Sequence, residues 1–127
     1  MPEALVVDDD PAIRKLLVQA LELEDYMVRT AYDGENAMEE IGRRLPDIII
    51  LDVMMPKMDG YEVLKKIRES PHSKDLPVII LSAKSAMEDQ WEGWQQGIDY
   101  YMTKPFDVEE LLRFLEHVFK GEQPKEP

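Results

Sequence analysis

The sequence predicts an α/β fold: a doubly wound, five-stranded parallel sheet flanked by five helices. Short β-rich apolar runs alternate with longer stretches of helical period along nearly the whole chain of 127 residues, the signature of βαβ units. Two of the runs, Ile48-Ile49-Ile50-Leu51 and Val78-Ile79-Ile80-Leu81, are continuously apolar, as strands covered by helices on both faces must be. Right-handed crossovers put the ligand crevice outside the carboxyl ends of the strands.

The strands are predicted at Ala4 to Val7, Met27 to Ala31, Asp47 to Leu51, Val78 to Ser82 and Ile98 to Met102. Helical period covers 11–24, 34–44, 60–70, 86–96 and 107–119. Asp10-Pro11 offers an N-cap followed by proline at the first helical position, Asp33 precedes the second helix, and Asp107 precedes Val108 of the last. In that last helix Val108, Leu111, Leu112, Leu115, Val118 and Phe119 recur at spacings of three and four, so one stripe faces the sheet. Phe114 falls outside the stripe, on a face otherwise polar. Residues 121–127, with two prolines and alternating charge, read as a solvated tail or the start of a linker.

Composition narrows the function classes. With 27 acidic and 15 basic side chains the formal net charge is −12, which disfavours direct nucleic-acid binding by this domain. Absence of cysteine excludes thiolate metal sites and thiol nucleophiles. No apolar run approaches the about eighteen residues of a membrane span, and no basic-then-hydrophobic leader opens the chain, so the reading is soluble and cytoplasmic, with no membrane contact.

Chemistry-bearing residues gather at the predicted carboxyl ends. The first strand runs into Asp8-Asp9-Asp10 and the third into Asp52. Neighbouring carboxylates repel, and a divalent cation or a basic partner keeps them ionised; oxygen-only ligands favour Mg²⁺. Aspartates also cap helices, which is the first reading for Asp10 and an open alternative for Asp8 and Asp9. The fourth strand ends at Ser82-Ala83, a hydroxyl and a backbone N–H. The fifth leads through Tyr101 to Lys104-Pro105-Phe106, where the lysine offers a positive charge for a phosphoryl oxygen. His72, in a loop, and His117, on the polar side of the last helix, read as solvated.

Four motifs together resemble the receiver domain of two-component response regulators: Val7-Asp8-Asp9, the run Leu51 to Gly60 containing Asp52, Pro56 and Asp59, Leu81-Ser82-Ala83, and Lys104-Pro105-Phe106. They stand in family order over roughly residues 4 to 119. The resemblance implies a receiver domain over 1–120 and a flavodoxin-like sheet of order 2-1-3-4-5. It further implies that Asp52 accepts a phosphoryl group from a histidine kinase or phosphotransfer protein, becoming a 4-aspartylphosphate. Asp9 and Asp52 would hold Mg²⁺ directly with the Met54 backbone carbonyl, and Asp8 mostly through a water. Ser82, Lys104 and the Ala83 N–H would contact phosphoryl oxygens, and Ser82 and Tyr101 would switch. The chain would catalyse only its own phosphorylation and dephosphorylation. Met54 and Lys84 occupy positions that in the family influence phosphoryl lifetime; Met54 cannot hold a water by hydrogen bonding, which points to a long-lived group.

The resemblance also implies a signalling face made by the fourth predicted helix, the fifth strand and the last helix, bearing Met87, Trp94, Tyr101 and Phe114 and controlling an output domain or target protein. Met87, Trp91 and Trp94, spaced i, i+4, i+7, read on their own as the buried side of their helix, whereas the family position of Trp94 lies toward the signalling face. Relatives that dimerise through this face use charge pairs; Gln90, Tyr100 and Phe114 at three matching places point instead to an apolar contact in a homodimer formed on phosphorylation. The second reading of the Asp8-Asp9-Asp10 run is a small Mg²⁺-dependent phosphatase of haloacid-dehalogenase type, whose nucleophile has Asp-x-Asp spacing; that family's cap and late acidic pair have no counterpart in so short a chain.

Overall fold

Five strands, β1 (Glu3–Val7), β2 (Met27–Ala31), β3 (Ile48–Asp52), β4 (Val78–Ser82) and β5 (Tyr100–Thr103), form one parallel sheet in the order β2-β1-β3-β4-β5. The structure is a computed structural model that describes residues 1–53, 60–82 and 97–120, with only the backbone of Ser82 and Lys120. Four helices lie among the described residues: α1 (Pro11–Leu23), α2 (Gly34–Arg43), α3 (Gly60–Glu69) and α4 (Val108–Lys120). The helix predicted over 86–96 falls outside them.

The sheet is apolar on both faces because alternate strand residues serve different layers. Leu5, Val7, Ile49, Leu51, Val78 and Ile80 pack with Ala37 and Ile41 of α2 and Leu64 and Ile67 of α3. Ala4, Val6, Ile48, Ile50, Ile79 and Leu81 pack with Leu17 and Leu21 of α1 and Leu111 and Leu115 of α4. The two continuous apolar runs are thus the central strands β3 and β4, as their composition predicts.

Helix starts follow the predicted capping. The Asp10 carboxylate accepts the Ala12 N–H at 2.9 Å, with Pro11 at the first position. Asp33 accepts from Asn36 at 2.8 Å and Asp107 from Glu109 at 2.9 Å. Two strands begin later than the predicted starts at Asp47 and Ile98, and the reason is common to both. Asp47, before β3, accepts the Glu3 N–H of β1 at 2.7 Å, and Asp99, before β5, accepts the Val78 N–H of β4 at 2.7 Å. Each aspartate spends its carboxylate on the first N–H of the neighbouring strand, so the ladder proper starts at the next residue.

Two side chains on α4 depart from expectation. Phe114 does not stand apart from the apolar stripe: it is half-buried and stacks on Tyr100 at 4.4 Å between ring centroids, 14° from parallel. His117 is not simply solvated either; it is half-buried and its Nδ1 is buried without a hydrogen-bond partner among the described residues. His72 is exposed, as predicted. No helix among the described residues is long and apolar enough to cross a membrane.

Candidate functional site

β1 and β3 are neighbours paired Val7 with Leu51, so the residues that follow, Asp8 and Asp52, emerge side by side at the carboxyl edge of the sheet. Both are almost fully buried, at 0% and 2% exposure. Asp9 is exposed and completes the group: one carboxylate oxygen from each of Asp8, Asp9 and Asp52 lies within 4.8 Å of the others. Asp10 turns away to cap α1, as its position before Pro11 suggests, while its own N–H donates to Asp8 Oδ1 at 2.9 Å. Sequence reasoning missed Arg14, whose Nη1 donates to the Asp8 backbone carbonyl at 2.7 Å. A basic residue one turn into α1, behind three aspartates, was the available signal.

Lys104 arrives from the other side. β5 is paired to β4 Ser82 with Thr103, which places Lys104 just past the same edge, two strands from Asp52 and three from Asp8. The long stem spans that gap, and Nζ sits 3.0 Å from Asp8 Oδ2 and 3.3 Å from Asp52 Oδ1. The peptide bond from Lys104 to Pro105 is cis. Burial pulls the Lys104 pKa down, but the Asp8 hydrogen bond and the charges of Asp52 and Asp8 outweigh it, so the ammonium titrates above the usual lysine value. Among the described residues three carboxylates face one ammonium, and every metal-ligand atom that the three-aspartate group offers is an oxygen. That donor set fits a small hard divalent cation.

Gly60, the first residue of α3, packs directly on the backbone that carries Asp52. A Cβ there would stand 2.4 Å from the Asp52 carbonyl oxygen and 2.8 Å from the Val53 Cα. The helix start is pressed against the backbone that carries Asp52, held by the Gly60 N–H donating to the Val53 carbonyl at 3.0 Å. Only glycine fits so close an approach.

Of the residues singled out in the sequence, the structure brings together Asp8, Asp9, Asp52 and Lys104. Ser82 ends β4 at the same edge by its backbone. Tyr101 is half-buried, against the apolar layer of α2 and α3, whereas Tyr100 faces the layer of α1 and α4. Met54, Ala83, Met87 and Trp94 lie outside the described residues. Tyr100 is bonded through its hydroxyl to Glu110 and stacked on Phe114, and the hydrogen bond, burial and the Glu110 charge push its pKa up to about 12.

The profile of the response regulator receiver domain matches residues 4–116. Among curated relatives, the DNA-binding dual master transcriptional regulator RpaA of Synechocystis is 43% identical over 88% of this chain and 46% of its own length. The response regulator MprA of Mycobacterium avium is 38% identical over 96% of this chain and 53% of its own. The chain thus spans about half the length of the curated relatives it matches. Among solved structures, the chemotaxis protein CheY4 of Vibrio cholerae superposes with a TM-score of 0.87 at 36% identity, covering 93% of this chain and 98% of that one. The receiver domain of a Syntrophus aciditrophicus histidine kinase gives 0.89 at 30% identity, covering 99% and 96%. Sheet order, acidic crevice and these likenesses agree: the chain belongs to the response regulator receiver domain family of two-component systems.

Proposed function

We propose that the chain is a phosphorylation-dependent switch that accepts a phosphoryl group on Asp52 from the phosphohistidine of a kinase or phosphotransfer protein. The observation that carries this reading is the Lys104 ammonium lying within 3.3 Å of the nearly buried Asp8 and Asp52 carboxylates, with Asp9 beside them. An Asp52 carboxylate oxygen attacks phosphorus; an O–P bond forms, the P–N bond breaks and the imidazole leaves with the electron pair. Lys104 is placed to exchange its contact with the Asp52 oxygen for one with a phosphoryl oxygen, neutralising charge where it is transferred. Asp9 and Asp52 directly, Asp8 mostly through a water and, on the strength of the family resemblance, the Met54 carbonyl would hold Mg²⁺, which would supply further charge neutralisation at the phosphoryl group. Asp8, anchored by the Asp10 N–H and Arg14, keeps Lys104 oriented towards Asp52. Ser82 and the Ala83 N–H are assigned to the remaining phosphoryl oxygens on the strength of the family resemblance.

On this reading the domain catalyses only its own phosphorylation and dephosphorylation, in the cytoplasm. It signals through Tyr101, Phe114 and the segment bearing Met87 and Trp94 to an output domain or a separate target, with homodimerisation as one consequence. The Tyr100–Phe114 stack favours an apolar contact on that face over a salt-bridged one. The phosphatase alternative finds no support in the comparisons, which match receiver domains. Incubation with acetyl phosphate and Mg²⁺, followed by intact-mass measurement, tests the proposal. The wild type should gain one acid-labile phosphoryl group and Asp52→Asn none; equal gain in both moves the acceptor elsewhere.

A further inference from the structure

At the opposite end of the sheet one side chain ties together the starts of the two strands that lead to Ser82 and Lys104. Arg68, near the end of α3, donates from Nε and Nη2 to the Gly97 carbonyl at 3.1 and 2.8 Å. Its Nη1 donates to the carbonyls of Lys74 and Leu76 at 3.0 and 2.7 Å. Nη2 also lies 3.6 Å from Asp99 Oδ2, the oxygen that accepts the Val78 N–H. One guanidinium therefore fastens the loop that feeds β4 and the turn that feeds β5, where Gly97 takes φ +76°. The planar fork of donors suits this task and an ammonium does not.

The consequence lies at the far edge. Among the described residues β5, four residues long, pairs with β4 and with no other strand, so few ladder bonds fix its axial position. It is tied at one end by Arg68 to Gly97 and Asp99, and at the other by Lys104 to Asp8 and Asp52. We infer that Arg68 is a positioning residue for phosphoryl transfer, setting from outside the site the registry of β4 and β5 that brings Lys104 to Asp52. This rests on the proposed acceptor role of Asp52. Asp8, Asp9 and Asp52 follow or end β1 and β3, strands that the Arg68 guanidinium does not hold, so their grip on a cation should not depend on it.

The test separates these two properties. In Arg68→Ala, the labelling rate with acetyl phosphate at saturating Mg²⁺ should fall about tenfold, the scale of a sub-ångström misplacement. The Mg²⁺ dissociation constant, measured by titration calorimetry on the unphosphorylated protein, should stay within about twofold on the same argument. Arg68→Lys, keeping charge but losing the fork, should label more slowly than the wild type as well. Should Arg68→Ala lack a cooperative melt, Arg68→Lys and Arg68→Gln carry the same paired expectation. Wild-type labelling rates in the variants overturn the inference, and so does a loss of Mg²⁺ affinity in step with the rate, which would mark general distortion. Absence of labelling in the wild type itself overturns the acceptor reading and this inference with it.

Discussion

Replacing Asp9 by asparagine should raise stability without divalent cations and lower it, relative to wild type, with them. Asp9 is the exposed member of the three-carboxylate group, and the ion pairs of Lys104 go to Asp8 and Asp52. Asp9 therefore has two like-charged neighbours within 4.8 Å. In the bulk-water limit each such pair repels by about 0.9 kcal/mol. Screening at physiological salt brings the two together to about 1 kcal/mol, and the nearby Lys104 charge offsets part of that. In EDTA, Asp9→Asn should accordingly be more stable by about 0.5–1 kcal/mol, a rise of about 0.3–0.5 M in the urea midpoint. Adding Mg²⁺ at thirty times its dissociation constant should stabilise the wild type by about 2 kcal/mol, while the variant, short of one carboxylate ligand, gains much less. The order of the two midpoints then inverts. Paired urea melts followed by circular dichroism read this directly. A variant that is no more stable in EDTA, or that keeps the full Mg²⁺ gain, would refute the electrostatic description of the crevice.

Gly60→Ala should destabilise the protein by about 2–4 kcal/mol, because its Cβ would meet Asp52 and Val53 backbone atoms that cannot swing aside; urea melts check this. The hydrogen bond to Glu110 and burial push the Tyr100 pKa from an ordinary 10.0 up to about 12. The tyrosine's contribution to stability is therefore full below pH 10 and lost as pH rises towards 12, and Tyr100→Phe should flatten that alkaline slope in thermal melts. Glu3 has its pKa lowered, first by its hydrogen bond to Arg44 and further by Arg29, against the raising effect of burial. Its contribution is present above pH 4.5 and disappears as pH falls through the lowered value, so Glu3→Gln should weaken the acid dependence of the melting temperature below pH 4.5.

Much of this architecture is legible in the sequence because strand and helix layers impose different periods. Ile48 to Leu51 and Val78 to Leu81 had to be central, and Asp8, Asp52 and Lys104 had to meet at one edge once the sheet was parallel. What escaped depends on contacts between segments remote in the chain. Asp47 and Asp99 trim their strands by serving a neighbour's N–H, Phe114 is half-buried by stacking on Tyr100, and Gly60 is needed for space against Asp52. Arg14 and Arg68 look like ordinary helix-surface cations until the carbonyls they hold are seen.

Borohydride reduces an aspartyl phosphate to homoserine and spares a free carboxylate, so the acceptor can be located by peptide mass mapping after reaction with acetyl phosphate and Mg²⁺. With the Asp52 carboxylate as acceptor, homoserine should appear at position 52 in the wild type, in proportion to the phosphoryl group gained. Unreduced aspartate at 52 in a fully labelled sample, with homoserine at position 8 or 9 or a phosphoryl group on another side chain, would contradict that assignment.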